Sequence, residues 1–352
     1  MAAGNPHDAT GLHAAMRRYL EHRALIGCTA QGRLNTERYI RDFIIWADAR
    51  SVTHPQHVSH AVLERYQRWL YYYRKEDGAP LAPSSLRSKI VPLRGFFKWL
   101  TRKGELPANP ASELDLPKHV QRLPACVLTV GEVEKVLASA DTGTLVGLRD
   151  RALMEVLYST GMRRMEITQL IANDIDHERG IVLVRQGKGR KDRMIPIGER
   201  ALFWVRRYLD EVRPEWAWNN QEQTLFIGAY GEALSMHWAS VIVARHVKSA
   251  EIGKHGGCHL FRHTMATQML EGGADIRYIQ AMLGHADLST TQIYTQVAIR
   301  QLQLIHTNTH PGALLRIRSG ASEISGGTPS PEQNAAIHSL YAALDVEARE
   351  EK

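Results

Sequence analysis

Cysteine is scarce in this sequence, and its scarcity excludes several kinds of protein. The 352 residues include three cysteines, Cys28, Cys126 and Cys258. Because they are odd in number and widely spaced, we expect no disulfide framework and predict a protein of the reducing cytoplasm. The sequence has no CxxC pair, which argues against a thiolate metal site.

Long apolar runs and nucleotide-binding loops are also missing. No run of about 18 apolar residues occurs, so we expect no membrane span. The first residues lack the apolar core of a signal peptide. The GxGxxG and Walker patterns are absent, so no nucleotide phosphate loop is predicted.

Acidic residues are few in one part of the chain. Residues 1–103 contain 17 Lys and Arg against 8 Asp and Glu, a formal charge of +9, whereas the remaining residues sum to −2. A basic block of this kind suits a polyanion, either nucleic acid or an anionic membrane. A basic domain that is merely soluble is the alternative.

Helical periodicity runs through this basic block. Apolar spacing predicts helices at Leu12–Arg23 and His60–Tyr73, a helix between them that Asn35 can cap, and a fourth that opens at Ser84 and that Pro92 should bend or delay. No period-2 alternation occurs here, so a four-helix unit is predicted. Its basic face would carry Arg87, Lys89, Arg94, Lys98, Arg102 and Lys103.

The rest of the chain divides into three further segments. Residues 104–124 contain four prolines and no sustained periodicity, which predicts a linker. Residues 125–312 begin with a capping box, Thr129-x-x-Glu132. Residues 313–352 form an extension with a Ser/Gly/Pro-rich start. The extension ends in a possible amphipathic helix that opens at Ser330-Pro331 and carries a stripe of Ile337, Leu340, Tyr341 and Leu344.

The segment 125–312 contains two features near its middle. One helix ends at Gly161 and is followed by Arg163 and Glu166, which lie one helical turn apart and can touch. By itself this spacing is also typical of a surface ion pair of little energetic weight. The stretch GIVLVRQGKGRKDRMIPIG then predicts two short strands joined by a turn that holds Lys188, Arg190 and Lys191.

Histidines and an arginine follow at helical spacing. His259, Arg262 and His263 lie near one helical face. A zinc site of the HExxH type is disfavoured because position 260 is Leu and Arg262 would place a cation beside the metal. An Arg beside a His suits a phosphate better. Gly284-His285 and Tyr294 complete the order, and Tyr294 alone could be an ordinary half-buried aromatic.

Taken together, these residues suggest phosphoryl transfer. Arg163, Lys188, Arg262 and two imidazoles supply the positive groups that such a transition state needs, and Tyr294 adds a covalent option. The motifs TGMRRMEI, GKGRKDRMIPIG, HLFRHTMATQML and IQAMLGHADLSTTQIYT, with the following VAIRQLQLIHTNTHP, resemble those of tyrosine recombinases, the phage-integrase family, and most of all the Xer-type and mobile-element recombinases. The resemblance covers about residues 10–311.

The resemblance implies a role for each matching residue. Arg163 and Arg262 would clamp the scissile phosphate, Lys188 would protonate the departing 5′ oxygen, and His259 would serve acid–base steps. His285 would hydrogen-bond the phosphate, Glu166 would brace the site, and Tyr294 would form a 3′-phosphotyrosyl link. Neither metal nor other cofactor is implied. Arg164 and Met165 depart from the small residues expected there, and the extension after about 312 exceeds the usual end.

The resemblance also implies an architecture and partners. The fold would be mainly α, with a four-helix, SAM-like DNA-binding domain at 1–103 and a mixed α+β catalytic domain with a small antiparallel sheet. The basic face and the turn residues Arg190 and Lys191 would contact double-stranded DNA at an inverted-repeat site. The resemblance implies a homo-tetramer on DNA, which could include a second recombinase. It also implies a location in the bacterial cytoplasm, in association with the nucleoid.

Two other functions stay open on sequence grounds. A type IB topoisomerase-like enzyme would use similar chemistry for DNA relaxation only. A non-catalytic DNA-binding relative is disfavoured by the intact set of candidate residues. The segment VAIRQLQLI favours recombination, because it resembles the helix that this family exchanges between protomers.

Overall fold

The computed structural model describes residues 4–5, 7–116, 127–185, 192–217, 222–284, 296–313 and 331–350. Within helices, the side chains of residues 296–301, 331–336 and 349–350 are not described. The chain forms two compact units, residues 1–121 and residues 122–352. Each unit has its own hydrophobic core.

Four α-helices build the first unit: α1 (Leu12–Leu25), α2 (Ala30–Asp48), α3 (His60–Tyr72) and α4 (Pro83–Arg102). Their shared core is rich in aromatic rings, with Phe43 in edge contact with both Tyr66 and Phe97. The start predicted for α2 is wrong. Thr29 caps this helix by accepting a hydrogen bond from the Gly32 amide, and Asn35 lies inside it.

Helix α4 continues through Pro92. It begins at Pro83, whose missing N–H costs nothing in a first turn. Pro92 was expected to bend or delay the helix, but it neither delays nor ends it. Ile90, Leu93 and Leu100 on either side of it are fully buried, and this packing offsets the loss of one backbone hydrogen bond.

The predicted basic face of α4 is only partly open to solvent. Lys98, Arg102 and Lys103 are exposed. Lys89 pairs with Asp42, with 2.5 Å between Nζ and Oδ2, and Arg94 donates to the Ser112 carbonyl at 3.2 Å. The start of the predicted linker also differs from expectation, because it packs on the first unit, where Leu106, Ala111 and Leu114 join the core.

The second unit is mainly helical with a small sheet, as the sequence predicts. Its strands β1 (Ile175–Asp176), β2 (Ile181–Val184) and β3 (Arg193–Pro196) form an antiparallel sheet in that order. Val182 pairs with Ile195 in the β2–β3 register. The two predicted strands are therefore confirmed, and β1 was not foreseen.

Helices surround this sheet: α5 (Val130–Ala138), α6 (Leu145–Thr160), α7 (Arg164–Gln169), α8 (Glu199–Glu211), α9 (Arg213–Trp216), α10 (Met236–Ser249), α11 (Cys258–Glu271), α12 (Ile276–Leu283), α13 (Gln296–Thr309) and α14 (Pro331–Glu350). Both hydrogen bonds of the Thr129–Glu132 capping box are formed at the start of α5. Residues 147–160 of α6 are buried except Arg151, which makes α6 the central helix of the unit.

The C-terminal helix α14 packs on α11 and α12. The apolar stripe predicted for it is confirmed, since Leu340 and Leu344 are buried and Ile337 and Tyr341 pack against the same core. No helix in the described part of the chain is long and apolar enough to span a membrane.

Candidate active site

A tight turn after α6 places Arg163. The chain leaves the helix through Gly161 in the left-handed conformation, with φ of 61°. A Cβ there would lie 2.1 Å from Met265 Cε and 3.1 Å from a Leu283 methyl. The turn thus requires a positive φ and close packing, which favour glycine. It brings Arg163 to the start of α7.

Arg163 and Glu166 form a buried pair. The Glu166 carboxylate accepts from the Arg163 amide at 2.9 Å and from its Nη1 at 3.0 Å. The side chains are 6% and 1% exposed, so this is not the weak surface ion pair that spacing alone allows. A buried guanidinium that loses its carboxylate leaves an uncompensated charge, which is strongly destabilising.

Arg193 also binds Glu166, and the sequence did not single it out. Its Nη1 and Nη2 donate to the two carboxylate oxygens at 2.8 Å each, and its Nε donates to the Met282 carbonyl at 3.0 Å. Burial opposes ionisation of Glu166, but Arg193 and then the other arginines outweigh it and lower its pKa to about 2. Glu166 is therefore a permanent carboxylate that holds two guanidiniums in place.

Arg262 lies on α11 and is completely buried. Its Nη1 donates to the Gly161 carbonyl at 2.5 Å, and its Nη2 donates to the Leu283 carbonyl at 2.9 Å. Burial lowers its pKa to about 10, which still leaves the guanidinium charged at neutral pH. The predicted pair Arg163 and Arg262 thus meets where the ends of α6 and α12 lie close together.

Gly284 closes this region at the end of α12. It has φ of 67°, and a Cβ there would lie 3.1 Å from Arg193 Cζ. Its carbonyl lies 3.5 Å from Arg163 Nη2. Arg193 therefore contacts the backbone that leads directly to His285.

A second carboxylate, Glu347 of α14, contacts both candidate arginines. One of its oxygens accepts from Arg163 Nη2, and the other accepts from Arg262 Nη2 at 2.8 Å. Burial opposes the charge on Arg163, yet the contacts with Glu347 and Glu166 outweigh it and raise the pKa of this guanidinium. The two arginines therefore form an anion-binding pair, with one donor for each of two oxygens.

The two histidines of α11 differ in environment. His259 is half-buried, whereas His263 is 6% exposed. Burial, then the proximity of His259 and Arg262, lowers the pKa of His263 to about 4, so its ring is neutral at physiological pH. No group of three or more His, Cys, Asp or Glu within the described residues could hold a metal ion.

Five of the predicted residues lie outside the described part of the chain. They are Lys188, Arg190, Lys191, His285 and Tyr294. The structure brings together Arg163, Glu166 and Arg262, and it adds Arg193 and Glu347. One signal could have identified Glu347, because an acid occupies the stripe position three residues after Leu344.

Comparison with known proteins gives this arrangement a family. Residues 127–300 match the model of the phage integrase family. The tyrosine recombinase XerC 2 of Ralstonia nicotianae is 49% identical over 308 residues, which cover 86% of this chain and 88% of that protein. The chain belongs to the phage integrase family of tyrosine recombinases. It is thus an enzyme of site-specific DNA recombination, as the motifs predict.

A second relative supports this membership, and two solved structures share the fold. XerD of Lacticaseibacillus casei is 34% identical over 302 residues, covering 86% of this chain and 99% of that one. The fold is similar to XerH bound to a difH substrate before cleavage, with a TM-score of 0.61 and 21% identity over 86% of this chain and 97% of that chain. It is also similar to a lambda integrase tetramer bound to a Holliday junction, with a TM-score of 0.60 and 20% identity over 81% of this chain and 77% of that chain.

Proposed function

We propose that this recombinase cuts and rejoins duplex DNA through a 3′-phosphotyrosyl intermediate formed on Tyr294. The observation that carries the proposal is the convergence of Arg163 and Arg262 on the two oxygens of one anion. A scissile phosphodiester presents two non-bridging oxygens that share one negative charge. Two buried guanidiniums with one donor toward each oxygen are suited to bind it and to stabilise the charge of the transition state.

In this mechanism the phenolic oxygen of Tyr294 attacks phosphorus, and the bond to the 5′ oxygen breaks. Lys188 gives a proton to that departing oxygen, and His259, as the acid–base group, accepts the proton that the Tyr294 hydroxyl loses when it attacks. His285 donates a hydrogen bond to the phosphate. A 5′ hydroxyl from the partner strand then attacks the phosphotyrosine and releases Tyr294. The link preserves the bond energy, so rejoining needs neither ATP nor a metal.

Glu166 would act through the two arginines that it binds. Its depressed pKa keeps it charged, and its hydrogen bonds fix Arg163 and Arg193 in one orientation. A fixed donor loses less entropy when it binds the phosphate and needs no rearrangement as charge develops. Glu166 is therefore a positioning residue in the proposed site.

We also propose the assembly and its DNA. Two inverted half-sites would each bind a protomer, and two such duplexes would form a tetramer that resolves through a Holliday junction. The related solved structures support this, because they include a XerH complex with its difH substrate and a lambda integrase tetramer on a Holliday junction. Lys98, Arg102 and Lys103 are exposed for phosphate contacts in the first unit, and the turn residues Arg190 and Lys191 would add others. The reaction would occur in the bacterial cytoplasm, on the nucleoid.

A denaturing trap tests the proposal. The full-length protein is mixed with fragmented host DNA and quenched with detergent, and the DNA ends linked to protein are sequenced. We expect linkage through Tyr294 at a recurring inverted-repeat site, and no linkage in Tyr294→Phe, which should still bind DNA. Persistent covalent complex in Tyr294→Phe would disprove the nucleophile assignment.

The mapped site then separates recombination from simple relaxation. A plasmid that carries two copies of the site should yield joined or excised products and branched intermediates. A supercoiled plasmid that is only relaxed, with no exchanged strands, would instead identify a topoisomerase-like activity.

A further inference from the structure

The C-terminal helix brings a buried group to the candidate site that the proposed chemistry does not use. Helix α14 contacts α11 and α12, and its Leu340 and Leu344, which are 1% and 0% exposed, belong to the core of the second unit. The Tyr341 hydroxyl lies 3.1 Å from Thr267 Oγ1. These contacts position the last turns of α14, where Glu347 is found.

Glu347 occupies a position on the apolar stripe of α14 where an apolar residue would ordinarily be expected. It follows Leu344 by three residues and is 6% exposed. Burying a carboxylate is unfavourable unless charged partners compensate for the lost hydration. Within the described part of the chain it forms ion pairs with the two candidate phosphate ligands, Arg163 and Arg262. The docked helix therefore depends on the same guanidiniums that the reaction needs.

The Glu347 carboxylate resembles a phosphodiester in its charge and in offering two oxygen atoms that accept hydrogen bonds. Each of its two oxygens contacts a different arginine, and the group carries one negative charge. Without it, among the described residues of this cluster, the guanidiniums of Arg163, Arg193 and Arg262 would face one carboxylate, that of Glu166. An anion at this position is thus favoured, whether helix α14 or DNA supplies it.

We propose that the Arg163–Arg262 pair is a binding site for the chain's own Glu347, so that the C-terminal helix and the DNA phosphate compete for the same two guanidiniums. The inference builds on the proposed function, since it assigns a second, intramolecular ligand to the same site. The enzyme with α14 docked cannot clamp a scissile phosphate. Its activity therefore requires Glu347 to leave.

The competition is balanced, because one monoanion replaces another on the same donors. A small difference in affinity is then enough to shift the population between the docked and the released helix. Phosphate contacts made elsewhere on the protein would favour the DNA-bound state. Helix α14 should therefore be displaced more readily by a DNA site that the protein contacts along its whole length than by a single phosphate bound without those other contacts.

The test uses the full-length chain with inorganic phosphate as the probe. Glu347→Gln keeps the size of the side chain and removes its charge. Glu350→Gln makes the same change three residues further along the same helix and serves as the matched control. Phosphate affinity is measured by calorimetry at constant ionic strength, and docking of α14 is followed by amide hydrogen exchange over residues 337–348.

We expect Glu347→Gln to bind phosphate about tenfold more tightly than the unaltered protein, because charge-assisted hydrogen bonds to the competing carboxylate are lost. In the unaltered protein and in Glu350→Gln, added phosphate should accelerate exchange over 337–348. In Glu347→Gln, exchange should be fast without phosphate. Leu344→Ala, which weakens docking and leaves the carboxylate intact, should also bind phosphate more tightly. Phosphate affinities that are equal in all four proteins would overturn the proposal.

These readouts separate the tail from the recombination chemistry, since neither needs DNA cleavage. Tighter phosphate binding by Glu347→Gln with no covalent DNA complex would support the tail site and overturn the recombination mechanism. A covalent complex at Tyr294 together with unchanged phosphate affinity would support the recombination mechanism and overturn the proposed binding of Glu347 at the arginine pair. If both hold, Glu347→Gln should also form the covalent complex faster than Glu350→Gln.

Discussion

Arg193 and Glu166 are joined by two parallel hydrogen bonds of 2.8 Å each, between side chains that are 4% and 1% exposed. The same carboxylate also accepts from Arg163. Glu166 is thus the common anchor of a residue on β3 and a residue at the start of α7. The strand that follows the predicted Lys188 turn is thereby fixed to the first candidate phosphate ligand.

Arg193→Gln should destabilise the second unit and impair cleavage together. Loss of one partner leaves Glu166 with unmet hydrogen-bonding capacity in a buried place, which costs about 3–5 kcal/mol. Arg207→Gln is the matched control, because Arg207 also donates two hydrogen bonds to one carboxylate, that of Glu211, but these side chains are 32% and 47% exposed. That change should cost less than about 1 kcal/mol. The measurement is urea unfolding of both variants, and equal losses of stability would contradict the assignment.

A positioning role for Arg193 predicts more than lost stability. Arg193→Lys keeps the charge but cannot make the two-pronged contact with Glu166. At a temperature where this variant is fully folded, covalent-complex formation should fall by about tenfold or more, since misplaced catalytic groups cost rate. DNA affinity should change little. Unaltered cleavage by the folded variant would show that Arg193 is only structural.

Gly161→Ala should weaken the turn that places Arg163. The residue has φ of 61°, where an L-residue is strained, and a Cβ would clash with Met265 and approach Leu283. We expect a loss of about 1–2 kcal/mol in the free energy of unfolding. Gly131→Ala is the control, because Gly131 lies in α5 with no atom within 4 Å of its added Cβ. That change should stabilise the protein slightly or leave it unchanged.

Two stacked histidines should make the second unit sensitive to mild acid. The ring centroids of His306 and His310 lie 4.7 Å apart. The Nε2 atom of His306 donates to the Ser159 carbonyl, and that of His310 donates to the Tyr158 carbonyl. Burial lowers the pKa of His306 to about 4 and places that of His310 well below its ordinary value. The unfolded chain takes up protons first, so stability that is present above about pH 6.5 is lost as the pH falls toward 4.

Between pH 7 and pH 4, His306 should account for a loss on the order of 2–3 kcal/mol in the free energy of unfolding, because its pKa is lower in the folded than in the unfolded chain. His306→Gln should therefore reduce the loss of stability between pH 7 and pH 4, measured by chemical unfolding at a series of pH values. His237→Gln is the control, since His237 is exposed. If both variants retain the full pH dependence of the unaltered protein, other groups cause it.

The sequence by itself determined the features that depend on near neighbours along the chain. The Thr129–Glu132 capping box, the Gly161 helix end, the Arg163–Glu166 contact and the stripe of α14 all follow from spacings of three or four residues. Backbone geometry fixes which side chains meet at such distances. The two strands followed from β-branched residues around a Gly-rich turn, and the order of the motifs was enough to identify the family.

Tertiary structure decided the contacts between residues far apart in the chain. Arg193 and Glu166 are 27 positions apart, and Arg262 and Glu347 are 85 apart. No local periodicity encodes either pair, because each depends on how β3, α7, α11 and α14 pack. The same reason explains the packing of Leu114, where burial outweighed local preference. The cap of α2 is instead a local contact between Thr29 and Gly32, which the apolar spacing did not reveal. Packing alone turned an isolated acid on a terminal helix into a ligand of the two buried arginines.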